Sequence, residues 1–163
     1  MFARHMALVT ALGALVAAGT VVHHRGVEAS TLTPRVTKAA ADSGWTVTLS
    51  APSSYAGDEH VFGSATVSPN VTGSGFTATV NIAGATPKST HPWHVHKGTC
   101  GNDQGVVGGG SSYMPIKVGD DGKGTSTAKV NASLDPKGSY MVNIHASSTD
   151  MKTIAACGPL VKQ

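Results

Sequence analysis

From Gly44 onward the chain is a succession of short runs rich in Val, Thr and Ile. Gly, Pro, Asn and Asp interrupt them at close intervals, and no apolar repeat of helical period runs through the segment. A run of this kind buries one face by alternation and leaves its backbone groups to be satisfied by neighbouring strands. Eight such runs are legible, at 45–50, 60–68, 75–83, 92–97, 114–119, 124–132, 139–146 and 154–161. Eight short strands with no helix between them predict an all-β sandwich or flattened barrel. Ser68-Pro69-Asn70, Ala85-Thr86-Pro87, Asp120-Asp121-Gly122 and Asp135-Pro136-Lys137-Gly138 supply turn chemistry between runs, and Asp121-Gly122 predicts a hairpin. The stretch 98–112 contains six glycines and reads as an irregular loop, flexible unless Cys100 anchors it.

The N-terminal part has a different character. Arg4 and His5 precede an apolar stretch, 6–22, after which polar sequence resumes at His23. Its 17 residues include two glycines and two threonines, short of the roughly 20 apolar residues that a spanning helix needs. The pattern is that of a secretory signal peptide, here taken as 1–29 with cleavage after Ala29, followed by a polar, flexible leader at 30–43 and a domain at 44–163. The expected location is secreted or periplasmic, with no stable membrane span.

Charge narrows the choice of partner. Twelve Lys plus Arg against nine Asp plus Glu give +3, without a cluster that would track a phosphate backbone, so nucleic acid is not an expected partner. The three arginines are Arg4, Arg25 and Arg35, so the domain offers no guanidinium fork for an anion. Two cysteines are too few for a disulfide-dense miniprotein or a four-cysteine zinc site. In an oxidising compartment Cys100 and Cys157 can close into a disulfide, and two buried free thiols are the alternative.

Histidines mark the chemistry. In a strand, His94 and His96 project from one face and Val95 from the other. In the run 140–145 the same alternation places His145, Asn143 and Met141 opposite Val142 and Ile144. His145 is therefore a candidate third ligand to a metal chelated by His94 and His96, the other reading being a merely polar strand face. Three imidazoles suit copper or zinc rather than calcium or magnesium, and copper leads the divalent affinity order. His91 is a further candidate ligand, although Pro92 and its odd separation from His94 aim it at the opposite face. Tyr113 and Asn143 are candidates for orienting or covering the ligands, and the Met114 and Met141 thioethers fit core filling better than ligation. His60 follows Asp58-Glu59 and reads as an exposed histidine without function.

The order and context of these residues resemble the copper/zinc superoxide dismutase family over roughly 44–161. The matching features are His94-Val95-His96, Cys100 shortly after, a strand ending Asn143-Ile144-His145, and Ala156-Cys157-Gly158. The resemblance implies an eight-stranded Greek-key barrel, one copper ion held by His94, His96 and His145, and a Cys100–Cys157 disulfide. The longer segment His91-Pro92-Trp93-His94-Val95-His96-Lys97-Gly98-Thr99-Cys100 is similar to the small zinc-less bacterial branch of that family.

The departures are specific. No histidine lies between His96 and His145, so no zinc site and no bridging imidazole are expected. Ile154 stands where the family places its anion-guiding arginine, leaving Lys152 as the nearest cation. Only eleven residues separate His145 from Cys157, which predicts a metal open to solvent. The resemblance implies superoxide as substrate and dismutation through a Cu(II)/Cu(I) centre. A non-catalytic copper-binding or copper-buffering module of the cell envelope is the alternative, and a metal-free structural domain ranks last.

Overall fold

The computed structural model describes residues 44–72 and 74–163. The expected signal peptide, 1–29, and leader, 30–43, lie outside the described residues. No helix among the described residues is long and apolar enough to cross a membrane.

The described chain is built from β1 (Trp45–Leu49), β2 (Phe62–Pro69), β3 (Phe76–Ala83), β4 (Thr90–His91), β5 (Trp93–Thr99), β6 (Asn102–Val106), β7 (Ile116–Lys117), β8 (Gly124–Val130), β9 (Tyr140–His145), β10 (Ile154–Pro159) and β11 (Val161–Lys162), with one 3-10 turn at Gly110–Ser112. Every pairing is antiparallel. One sheet has the order β11-β1-β2-β3-β8, a second β10-β9-β5-β6, and β4 pairs with β7 alone. A bridge between Ser50 and Cys157 links the end of β1 to β10 of the second sheet.

Alternation explains the core. Ala65 and Val67 of β2 and Phe76, Ala78, Val80 and Ile82 of β3 are buried from the first sheet. Trp93 and Val95 of β5, Val142 and Ile144 of β9 and Ala156 of β10 are buried from the second, and all of these belong to one apolar cluster. The intervening hydroxyl-bearing residues of the first sheet face outward and pair across strands, as Thr79 does with Thr127 at 3.0 Å. The described residues are thus almost all β with antiparallel sheets, as their period-two patterning predicts, in an arrangement compatible with a sandwich.

Three local differences from the sequence reading matter. The stretch 98–112 is not wholly irregular, because its first part forms β6. Cys100 and Gly101 make a two-residue turn in which Gly101 has φ +86°, and Gly98 and Thr99 pair with Asp103 and Asn102. The predicted strand at 114–119 shrinks to β7. Asp121-Gly122 does form a tight turn, but β7 and β8 do not ladder with one another. The segment before β5 takes that edge, with Val118 N–H donating to Ser89 O and β4 pairing with β7. Leu160 divides the predicted strand 154–161, and there the chain passes from the second sheet to the first, whereas the predicted strand at 92–97 starts one residue later, at Trp93.

Candidate metal centre

β5 and β9 lie side by side, with His94 opposite Asn143 and His96 opposite Met141. Trp93, Val95, Val142 and Ile144 take the core side, so His94, His96 and His145 meet on the other face of the same sheet. One ring nitrogen from each of the three lies within 4.8 Å of the other two. His94 is half-buried, while His96 and His145 are 4% and 5% exposed.

The ring nitrogens fall into distinct roles. His94 Nδ1 is 3.1 Å from His145 Nε2. His96 Nδ1 is 2.8 Å from Asp103 Oδ1, and that oxygen also accepts the Gly105 N–H at 2.7 Å. His96 Nε2 and His145 Nδ1 are buried with no hydrogen-bond partner. A buried polar atom without a partner costs about 1–3 kcal/mol, a cost that a cation accepting the lone pair removes. The donor set is three imidazoles, in which His94 Nδ1 and His145 Nε2 face one another and His96 Nε2 is buried without a partner. It fits a metal ion that prefers nitrogen.

Electrostatics favour the form of histidine that binds metal. Burial, together with the His145 and His96 rings, pushes His94 down to about 4. His145 is lowered chiefly by burial and also by His96. Both rings are therefore neutral at physiological pH, as ligation requires. Burial alone would raise Asp103, but the Gly105 N–H and His96 hold it below the usual carboxylate range.

The remaining predicted residues are placed as follows. Tyr113 packs edge-on against His94 and Trp93, with ring centroids 5.2 Å away in each case, and donates to Val107 O at 2.8 Å. His91 lies outside the cluster, and both its ring nitrogens are engaged, Nδ1 2.9 Å from His145 O and Nε2 2.8 Å from Ser89 Oγ. Asn143 is buried beside His145 and makes no hydrogen bond to the three rings. Met141 is fully buried against Cys157 Sγ, and Met114 is exposed. His60 is exposed. Cys100 and Cys157 form a disulfide, with Cα atoms 6.0 Å apart.

The centre is more enclosed than the short segment after His145 implies. Gly110 of the glycine-rich stretch comes close to His94 Nε2. The open side is a cavity of about 700 Å³ lined by His145, Asn143, Met141, Asp103, Met151 and Lys152, with the disulfide in its wall. Sequence reasoning missed Asp103. It lies seven residues beyond His96, across the Cys100-Gly101 turn, and the only sequence signal for it was an acid just past a two-residue turn.

No family model matches the chain, and no curated protein matches it in sequence.

Proposed function

We propose that this chain is an exported copper-binding protein of the copper/zinc superoxide dismutase type, with a signal peptide at 1–29, a flexible leader at 30–43 and a Greek-key β-barrel domain at 44–163. In this reading it lacks a zinc site and dismutates superoxide at copper held by His94, His96 and His145. The observation that carries the metal reading is the convergence of three imidazoles whose ring nitrogens lie within 4.8 Å of one another, with His96 Nε2 buried and partnerless. Copper bound there would supply the one-electron couple that conversion of two superoxides and two protons to dioxygen and hydrogen peroxide requires.

The chain's own residues do the rest. Asp103 and Tyr113 hold His96 and His94 in place, through a hydrogen bond and an edge-on ring contact respectively. The cavity gives a small anion a route to His145, the one of the three rings that lines it, and Lys152 in its wall supplies a positive charge. No arginine follows Arg35 and no further histidine lies between His96 and His145. These absences favour slow turnover, and they favour a second reading, a copper-binding or copper-buffering module without catalysis.

The test is to load the chain with copper, measure stoichiometry, and follow superoxide decay beside a His145→Ala variant. One copper per chain and decay faster than the same concentration of free copper, lost in His145→Ala, supports the dismutase. One copper with decay at the level of the variant supports the binding module. No retained copper refutes both.

A further inference from the structure

The geometry points to Asp103 as the positioning residue of the metal centre: by accepting a hydrogen bond from His96 it determines which nitrogen of that ring faces the cluster, and its charge favours Cu(II) over Cu(I). This rests on the reading that the three histidines hold copper.

A neutral imidazole carries a hydrogen on one nitrogen and a lone pair on the other, and the partner of one sets the role of its counterpart. An ionised carboxylate only accepts, so the 2.8 Å contact makes His96 Nδ1 the donor. In the neutral ring that ligation requires, the lone pair is then on Nε2, which is buried and partnerless. Neither of the other two rings has a carboxylate partner. His94 Nδ1 faces His145 Nε2, and His145 Nδ1 has no partner. His96 is thus the one ring of the three backed by a negative charge.

Asp103 is half-exposed, its side chain retaining 48% of its accessible surface, yet several independent constraints hold it. The oxygen that meets His96 also accepts the Gly105 N–H. The backbone of Asp103 is paired opposite Gly98 of β5, the strand that carries His96. The turn between them contains Cys100, whose disulfide ties the hairpin tip to β10. The carboxylate is therefore preorganised behind the ring, and a carboxylate behind a ligating imidazole strengthens its lone pair and stabilises the more highly charged metal ion.

Asp103 could instead serve only the hairpin, through Gly105, and the experiment separates the two roles. Asp103→Asn keeps an acceptor oxygen for both partners and removes the charge, whereas Asp103→Ala removes both. With the disulfide intact, Cu(II) and Cu(I) affinities are measured by competition with chelators, the Cu(II) spectrum by electron paramagnetic resonance, and the melting temperature without metal. The expected result for Asp103→Ala is a loss of about 10–100-fold in Cu(II) affinity, an altered Cu(II) spectrum and a smaller change for Cu(I). Asp103→Asn shifts the Cu(II) to Cu(I) affinity ratio in the same direction while retaining most of the metal-free melting temperature, which keeps the test sound if the alanine variant folds poorly. Unchanged spectra and affinity ratios in both variants, with only the metal-free melting temperature lowered, overturn the inference while leaving the copper reading intact. Failure of the wild-type chain to bind one copper overturns both.

Discussion

Burial and the neighbouring imidazoles hold His94 at about 4, and His145 moves in the same direction. In the unfolded chain both rings titrate near 6.5, so between these values the unfolded state binds more protons than the folded one. The stability contributed by the neutral rings is fully present above about 6.5 and is lost progressively as pH falls toward 4. Melting curves of the metal-free protein at pH 7, 5.5 and 4 should show this decline, and His94→Gln should flatten it. The parity of His94, His96 and His145 was legible in the sequence, because a period of two leaves no choice of face once Val95, Val142 and Ile144 claim the core. Asp103 was not legible, since its approach to His96 depends on the short turn at Cys100-Gly101.

The β5–β6 hairpin delivers four of the site's residues: two ligand candidates, the carboxylate behind one of them, and a disulfide cysteine. Its geometry depends on Gly98, which has φ +103° and whose added Cβ would collide with the Asn102 carbonyl oxygen. Gly98→Ala should destabilise the protein by about 1–3 kcal/mol, read from denaturant unfolding, and should weaken metal retention more than Gly63→Ala, whose added Cβ would collide with the Asn81 carbonyl in the other sheet. The strands that form the core were legible from alternation, but β6 was hidden. All five of its residues are exposed, so it carries no apolar pattern and is specified only by its turn and backbone pairing. β4 and β7 were also hidden, since two-residue strands are too short to show a period.

For the molecule as a whole, the disulfide and the Ser50–Cys157 bridge meet at one residue, so β10 is tied both to the hairpin tip and to the first sheet. The disulfide links residues 57 apart, and the loop-entropy argument gives it a stabilisation of up to about 4 kcal/mol. The double variant Cys100→Ser, Cys157→Ser should unfold at correspondingly lower denaturant concentration, with wild-type protein under reducing conditions shifting alongside it. The two-sheet organisation and its single core also place the histidines on the face of the second sheet that looks away from that core. What lies above them is turn and loop: Gly110, the 146–153 segment and the tip of the hairpin. The chemistry available at this face is therefore largely separable from the packing of the strands beneath it. The largely exposed 146–153 segment can lengthen, shorten or change charge without repacking the interior, whereas the glycine-rich segment cannot, because Val107 and Tyr113 on either side of Gly110 belong to the core.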